Sequence, residues 1–215
     1  MQYKPKRVLL LYISQVSGHR HSAMAISKTL KELSPDTEIK SLNGFGYTYP
    51  LMEKIINTAY MGVIKRAPKI WEYLYDNPKV VKAYQKLKES IHKSSHKKLK
   101  VLFDEFKPDV VVCTQAFPCG MVADYKKANN LSVKVIGVLT DFAPHMYWLH
   151  EGVDYYIVPF EDAKKRYVNE GIKESQIKVF GIPIRMKFAH KLDRHTIALK
   201  LHLDSSIPTV LIMGG

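Results

Sequence analysis

Val8-Leu9-Leu10-Leu11-Tyr12-Ile13-Ser14-Gln15-Val16-Ser17-Gly18-His19-Arg20-His21-Ser22-Ala23-Met24-Ala25-Ile26 is the stretch that decides the fold. An apolar run ends at Ser14, a short polar turn reaches Gly18 and His19, and a small-residue run compatible with a helix follows. A strand buried on both faces, a tight turn and a helix start put one imidazole at the carboxyl end of a sheet. Open α/β sheets bind ligands at that edge. A helix N-terminus there favours negative charge and the neutral form of a histidine. The stretch holds neither the G-x-G-x-x-G fingerprint nor a phosphate loop ending in G-K-S/T, so a dehydrogenase or P-loop site is not expected.

Further apolar runs repeat the pattern: Asp109–Cys113, Val133–Leu139, Tyr155–Val158 and Ile177–Phe180, mostly with helix-length segments between them. Alternating strands and helices predict a doubly wound, Rossmann-like α/β parallel sheet. Each run stops at a turn or polar residue (Ser14, Thr114, Thr140-Asp141, Pro159, Gly181), as a ligand crevice along one sheet edge requires. Each is equally compatible with an ordinary strand stop.

At 215 residues the chain can bury a substantial core. Its 46% hydrophobic and 25% charged content is that of a globular domain. The net charge of +13 calls for an anionic partner, such as nucleic acid, anionic lipid or a phosphorylated substrate. Cys113 and Cys119 are the only cysteines and show no zinc spacing, so they read as reduced thiols in a cytosolic protein. The N-terminal apolar run is too short for a signal core, and no run approaches the ~20 residues of a spanning helix. Membrane contact would therefore be peripheral.

Residues 44–106 interrupt the alternation. Gly44–Pro50 reads as an aromatic, glycine-rich loop, and Leu51–Ile64 carries apolar residues at helical spacing. Pro68 breaks that segment, flanked by Lys65, Arg66 and Lys69, and Ile70–Tyr75 follows with Trp71 and Tyr75. A lysine-dense helical segment comes next, with Leu99 and Leu102 among the residues of its packable face. Lysines beside aromatics and an apolar stripe suit an anionic membrane interface. Nucleic acid fits less well, because no recognised binding module is present.

The second polar cluster is Thr140-Asp141-Phe142-Ala143-Pro144-His145-Met146-Tyr147-Trp148-Leu149-His150. Asp141 either orients His19 or caps the following turn. His145 and His150 lie five apart with no evident third ligand, so no metal is expected. Thr114-Gln115-Ala116-Phe117-Pro118-Cys119-Gly120 and Gly181-Ile182-Pro183-Ile184-Arg185 are two more strand-end loops that either line the cleft or merely turn. Asp193–Leu203 reads as a short helix. Pro208–Gly215 reads as a new strand entering a glycine loop, the start of a second domain, with residues 1–203 as the first domain and 204–215 as the beginning of the next.

Three of these segments resemble one family. Gly18-His19-Arg20-His21-Ser22-Ala23-Met24-Ala25-Ile26, Val138-Leu139-Thr140-Asp141-Phe142 with His145, Trp148 and His150, and Gln176–Arg185 with Phe188 are similar to motifs of the monogalactosyldiacylglycerol synthases and processive diacylglycerol glucosyltransferases, in the same order. The loop departs from that family at Val16 and Ser17, where more glycine is usual.

The resemblance implies the N-terminal, acceptor-binding half of a GT-B glycosyltransferase. Its activity would be inverting transfer of a hexose from a UDP-sugar to the hydroxyl of diacylglycerol. His19 matches the general base and Asp141 a supporting residue. Ser14, Gly18, Gln115, Thr140, His145, Trp148 and His150 would line the acceptor cleft, and Gly214 and Gly215 would begin the donor side. Lys65, Arg66, Lys69, Trp71 and Tyr75 would meet the membrane. UDP-sugar is a substrate, and no cofactor is implied. The expected location is cytoplasmic, on the inner face of the cell membrane. The competing reading is a non-catalytic module that binds anionic lipid.

Overall fold

The computed structural model describes residues 5–14, 17–51, 53, 94–142 and 146–212. Six strands form one sheet in the order β2-β1-β3-β4-β5-β6, every neighbouring pair parallel. They are β1 (Arg7–Tyr12), β2 (Glu38–Asn43), β3 (Val110–Cys113), β4 (Lys134–Val138), β5 (Tyr155–Val158) and β6 (Ile177–Val179). The helices are α1 (Gly18–Leu33), α2 (Gly44–Thr48), α3 (residues 94–106), α4 (Ala116–Ala128), α5 (Glu161–Asn169) and α6 (Arg194–Lys200). The Rossmann-like sheet expected from the apolar runs is present, and those runs match β1, β3, β4, β5 and β6 to within a residue at each end.

Alternate residues of the central strands point to opposite faces. Leu9, Leu11, Val111, Cys113, Val135, Tyr156 and Val158 join a core with Leu99, Leu102, Phe103 and Phe106 of α3, Met121 and Val122 of α4, and Tyr167 of α5. Val8, Leu10, Val110, Val112 and Val138 form the other core, against Ile26 and Leu30 of α1. Burial on both faces is why these strands read as continuous apolar runs. The lysines of α3 are exposed while Leu99 and Leu102 are buried, as its one-sided pattern predicts. No helix among the described residues is long and apolar enough to cross a membrane.

Three segments depart from the sequence reading. The segment Glu38–Asn43 is a strand that the sequence does not announce. It lies at the sheet edge, alternates exposed and half-buried residues, and carries Glu38 and Lys40 outward. The expected loop Gly44–Pro50 instead contains helix α2. The Asn43 side chain caps it by accepting the Gly46 N–H (3.0 Å), and Phe45 packs edge-on against Phe117 at 4.9 Å. Finally, residues 208–212 are exposed and join none of the six strands.

The order of the sheet reverses at β1. The chain passes from β1 outward to β2, then returns to β3 on the other side of β1. The crevice beyond the carboxyl ends of β1 and β3 is therefore the topological switch point, where ligands bind in open α/β sheets.

Candidate active site

His19 stands at this switch point, one residue into α1. The turn that delivers it is tied down locally. Ser14 takes a left-handed backbone (φ 62°), ending the extended run of β1. Ser17 is the N-cap of α1: its oxygen accepts the Arg20 N–H at 3.2 Å, and its hydroxyl donates to the Ile13 carbonyl at 2.7 Å. A Cβ added to Gly18 would meet nothing within 4 Å, so the space before the helix start is open. Packing therefore does not demand glycine there; the open side leaves room for an approaching group.

The imidazole reaches across to the next two strands. His19 Nδ1 lies 2.9 Å from the carbonyl oxygen of Thr114, just beyond β3. It lies 2.6 Å from Oγ1 of Thr140, just beyond β4. The Thr114 hydroxyl returns the link by donating to the His19 carbonyl at 2.8 Å. A carbonyl oxygen can only accept, so the proton sits on Nδ1 and Nε2 carries the lone pair. A half-buried histidine with its proton donated inward is oriented as a base.

Positive charge surrounds the helix start. Arg20 is half-buried, and its Nε makes no hydrogen bond among the described residues. Arg185, in the loop after β6, donates from Nη2 to His21 Nδ1 at 3.2 Å. That contact carries the chain from the far edge of the sheet back to α1.

Other candidates have different places. Asp141 follows Thr140 directly and is half-buried at the same edge, but it is not among the hydrogen-bond partners of His19. Gln115 is the N-cap of α4, its amide oxygen accepting the Phe117 N–H at 2.6 Å. Trp148 and His150, expected on the cleft wall, are buried in the core instead. The His150 ring donates from Nε2 to the Tyr147 carbonyl (3.0 Å), and the Tyr156 hydroxyl accepts the His150 N–H and donates to the Trp148 carbonyl, both at 3.0 Å. The turn packs tightly against α4: a Cβ on Gly152 would sit 2.4 Å from the Ala123 carbonyl oxygen. Trp148 and His150 therefore shape the loop from behind. His145, Gly214, Gly215, Lys65, Arg66, Lys69, Trp71 and Tyr75 lie outside the described residues.

Thr114, bonded twice to His19 across the switch point, enters the sequence reading only as part of a strand-end loop, with no role given to it. Its only sequence signal is position, a polar residue directly after a wholly apolar strand. Cys113 and Cys119 are free and buried, and burial first, then the neighbouring Cys119 thiol, pushes the Cys113 thiol well above its ordinary value. Protonated and enclosed, it is a poor nucleophile. Among the described residues no three His, Cys, Asp or Glu side chains are grouped so as to hold a metal ion.

Comparison with known proteins bears on this site. A family model described as monogalactosyldiacylglycerol (MGDG) synthase matches residues 19–184, from the candidate base to the loop after β6. The processive diacylglycerol beta-glucosyltransferases of Bacillus cereus (strain AH187) and Bacillus anthracis (strain CDC 684 / NRRL 3495) are each 32% identical over 216 residues, covering 99% of this chain and 54% of theirs. The chain thus spans about half the length of the curated relatives it matches. Among solved structures, a UDP-N-acetylglucosamine 2-epimerase from Rickettsia bellii superposes with a TM-score of 0.52 at 14% identity, covering 94% of this chain and 52% of that one. At that identity the likeness is one of fold. The family match runs over residues 19–184, well over half of the chain, and leads to one conclusion: this chain belongs to the monogalactosyldiacylglycerol (MGDG) synthase family.

Proposed function

We propose that this chain is the acceptor-side half of an inverting glycosyltransferase that moves a hexose from a UDP-sugar to the hydroxyl of diacylglycerol. The observation that carries the reading is the inward-held Nδ1–H of His19 at the switch point, which leaves Nε2 with its lone pair to serve as a base.

In this mechanism Nε2 takes the proton of the lipid hydroxyl as its oxygen attacks the anomeric carbon of the hexose. The bond from that carbon to the UDP oxygen breaks on the opposite face, so the configuration inverts and UDP leaves as the anion. The imidazolium formed at His19 keeps its Nδ1–H on two neutral oxygens. Asp141, next in sequence to one of them, is the candidate supporting residue at the same edge. The UDP group would be met by the second half of the enzyme. The lysine-rich region before α3 would hold the protein on an anionic membrane, where diacylglycerol resides.

Thin-layer analysis of lipids made by the full-length enzyme from diacylglycerol and each UDP-hexose tests the reading. A new glycolipid with one of the donors is expected. Binding to anionic vesicles with no glycolipid from any donor would overturn it in favour of a non-catalytic lipid-binding module.

A further inference from the structure

Three atoms, one from the start of α1 and two from the ends of β3 and β4, meet at one point. His19 Nδ1 is 2.9 Å from the Thr114 carbonyl oxygen and 2.6 Å from Thr140 Oγ1, and Thr140 Oγ1 is 3.3 Å from that same carbonyl oxygen. Only one arrangement of protons satisfies all three. The carbonyl oxygen has none to give. If the Thr140 hydroxyl donated to Nδ1, the bare nitrogen would face the carbonyl lone pairs at 2.9 Å, which is repulsive. The hydroxyl therefore donates to the carbonyl and turns its lone pair toward the ring. Nδ1–H then points into a notch made by two oxygens.

The notch is stiffer than either contact alone. A single carbonyl leaves a ring free to pivot about one hydrogen bond. A second acceptor fixes its plane. Thr140 is β-branched, with restricted side-chain torsion, and its hydroxyl is also held by the Thr114 carbonyl. Both oxygens are neutral, so they set the tautomer and direction of the imidazole without adding a charge.

The geometry points to Thr140 as a positioning residue for His19: its hydroxyl, anchored on the Thr114 carbonyl, locks the Nδ1–H tautomer and aims Nε2 at the crevice. The consequence for rate rests on the glycosyl-transfer reading above; the consequence for the tautomer does not.

Two substitutions in the full-length enzyme test this. Thr140→Val removes the hydroxyl at nearly constant volume, and Thr140→Ser keeps it. In Thr140→Val, kcat for glycosyl transfer is expected to fall by roughly 10- to 100-fold, less than loss of the base itself would cost, because the imidazole remains. KM for both substrates should stay within about twofold, and Thr140→Ser should restore most of the lost rate.

Nitrogen-15 spectra of the histidine rings provide a second readout, with the His19 signals identified by their loss in His19→Ala. Wild-type protein and Thr140→Ser should show a protonated Nδ1 and a bare Nε2. Thr140→Val should gain a measurable share of the other tautomer. An Nε2–H tautomer in the wild-type protein would overturn the proposal even if Thr140→Val did not fold. So would an unchanged kcat in Thr140→Val, or a Thr140→Ser variant as slow as it. The expected spectra from a protein that transfers no hexose would uphold the positioning of His19 and remove the glycosyl-transfer reading instead.

Discussion

His19 and Thr114 are joined twice across the switch point, each side chain to the other's backbone carbonyl. The Nδ1–H donates to the Thr114 carbonyl at 2.9 Å, and the Thr114 hydroxyl donates to the His19 carbonyl at 2.8 Å. Side chain holds backbone in both directions, so the position of the base is set by the pairing of β1 with β3. Replacing His19 with alanine removes the base and leaves that strand pairing intact. We expect His19→Ala to lower glycosyl transfer by at least ~100-fold, the usual contribution of a positioned base. Titration of the full-length variant with UDP-sugar should show unchanged donor affinity. Turnover close to wild type would refute the role of His19.

Tyr156 is the hub behind the 146–150 turn. Its hydroxyl accepts the His150 N–H and donates to the Trp148 carbonyl, and burial pushes the phenol well above its ordinary value. Tyr156→Phe leaves a buried N–H and a buried carbonyl without that partner. A loss of about 1–3 kcal/mol is expected, equivalent to a drop in Tm of roughly 2–4 °C per kcal/mol for a chain of this size. Thermal unfolding of the two proteins side by side measures it, and identical melting curves would contradict the hub role.

Asp154 links the start of β4 to α4. It receives Lys126 Nζ at 2.5 Å, Lys134 Nζ at 3.1 Å and the Val135 N–H at 2.8 Å. Partial burial alone would raise its pKa, but these donors together outweigh that and hold the carboxyl below its ordinary 3.8. A depressed folded-state pKa adds stability at pH values above the unfolded value, and that stability is lost as pH falls through the folded one. The advantage of wild type over Asp154→Asn should thus be full at neutral pH and shrink only in acid below the ordinary carboxylate range. Denaturant unfolding across pH would show this. A gap that persists unchanged in strong acid would mean that the ion pairs are not its source.

The lysine-rich region supplies the membrane prediction. Each basic residue near an anionic surface contributes about 1 kcal/mol, so replacing Lys65, Arg66 and Lys69 together with alanine should weaken partitioning by roughly 100-fold. Sedimentation with anionic vesicles tests this, with neutral vesicles as the reference. Equal binding to both kinds by the unaltered protein would rule out an electrostatic contact.

What the sequence makes legible follows from burial. Leu9, Leu10 and Leu11 lie wholly inside, as does Val111, and a strand covered on both faces must be apolar along its length. Strand β2 escapes notice for the opposite reason: at the edge, Glu38, Lys40 and Ser41 are tolerated, and only Ile39 and Leu42 mark it. His19 was visible as a candidate base because a glycine and a histidine follow the first strand. Its partner was not, because the accepting atom is a backbone carbonyl, which every residue possesses. Trp148 and His150 mislead because a polar aromatic serves a cleft and a core equally well. Here nearby backbone groups satisfy the His150 ring and the Tyr156 hydroxyl from within the core.

The meeting of His19, Thr114 and Thr140 also bears on how the protein matures. The bonded atoms come from positions 95 and 121 residues away from the histidine. Parallel strands so distant in sequence pair late, since loop closure must come first. A partly folded chain can have its first strand and helix in place and still hold an unoriented imidazole. The orientation of the His19 ring is therefore acquired only when three strands are aligned, and under the proposed function nascent or misfolded chains would be catalytically silent.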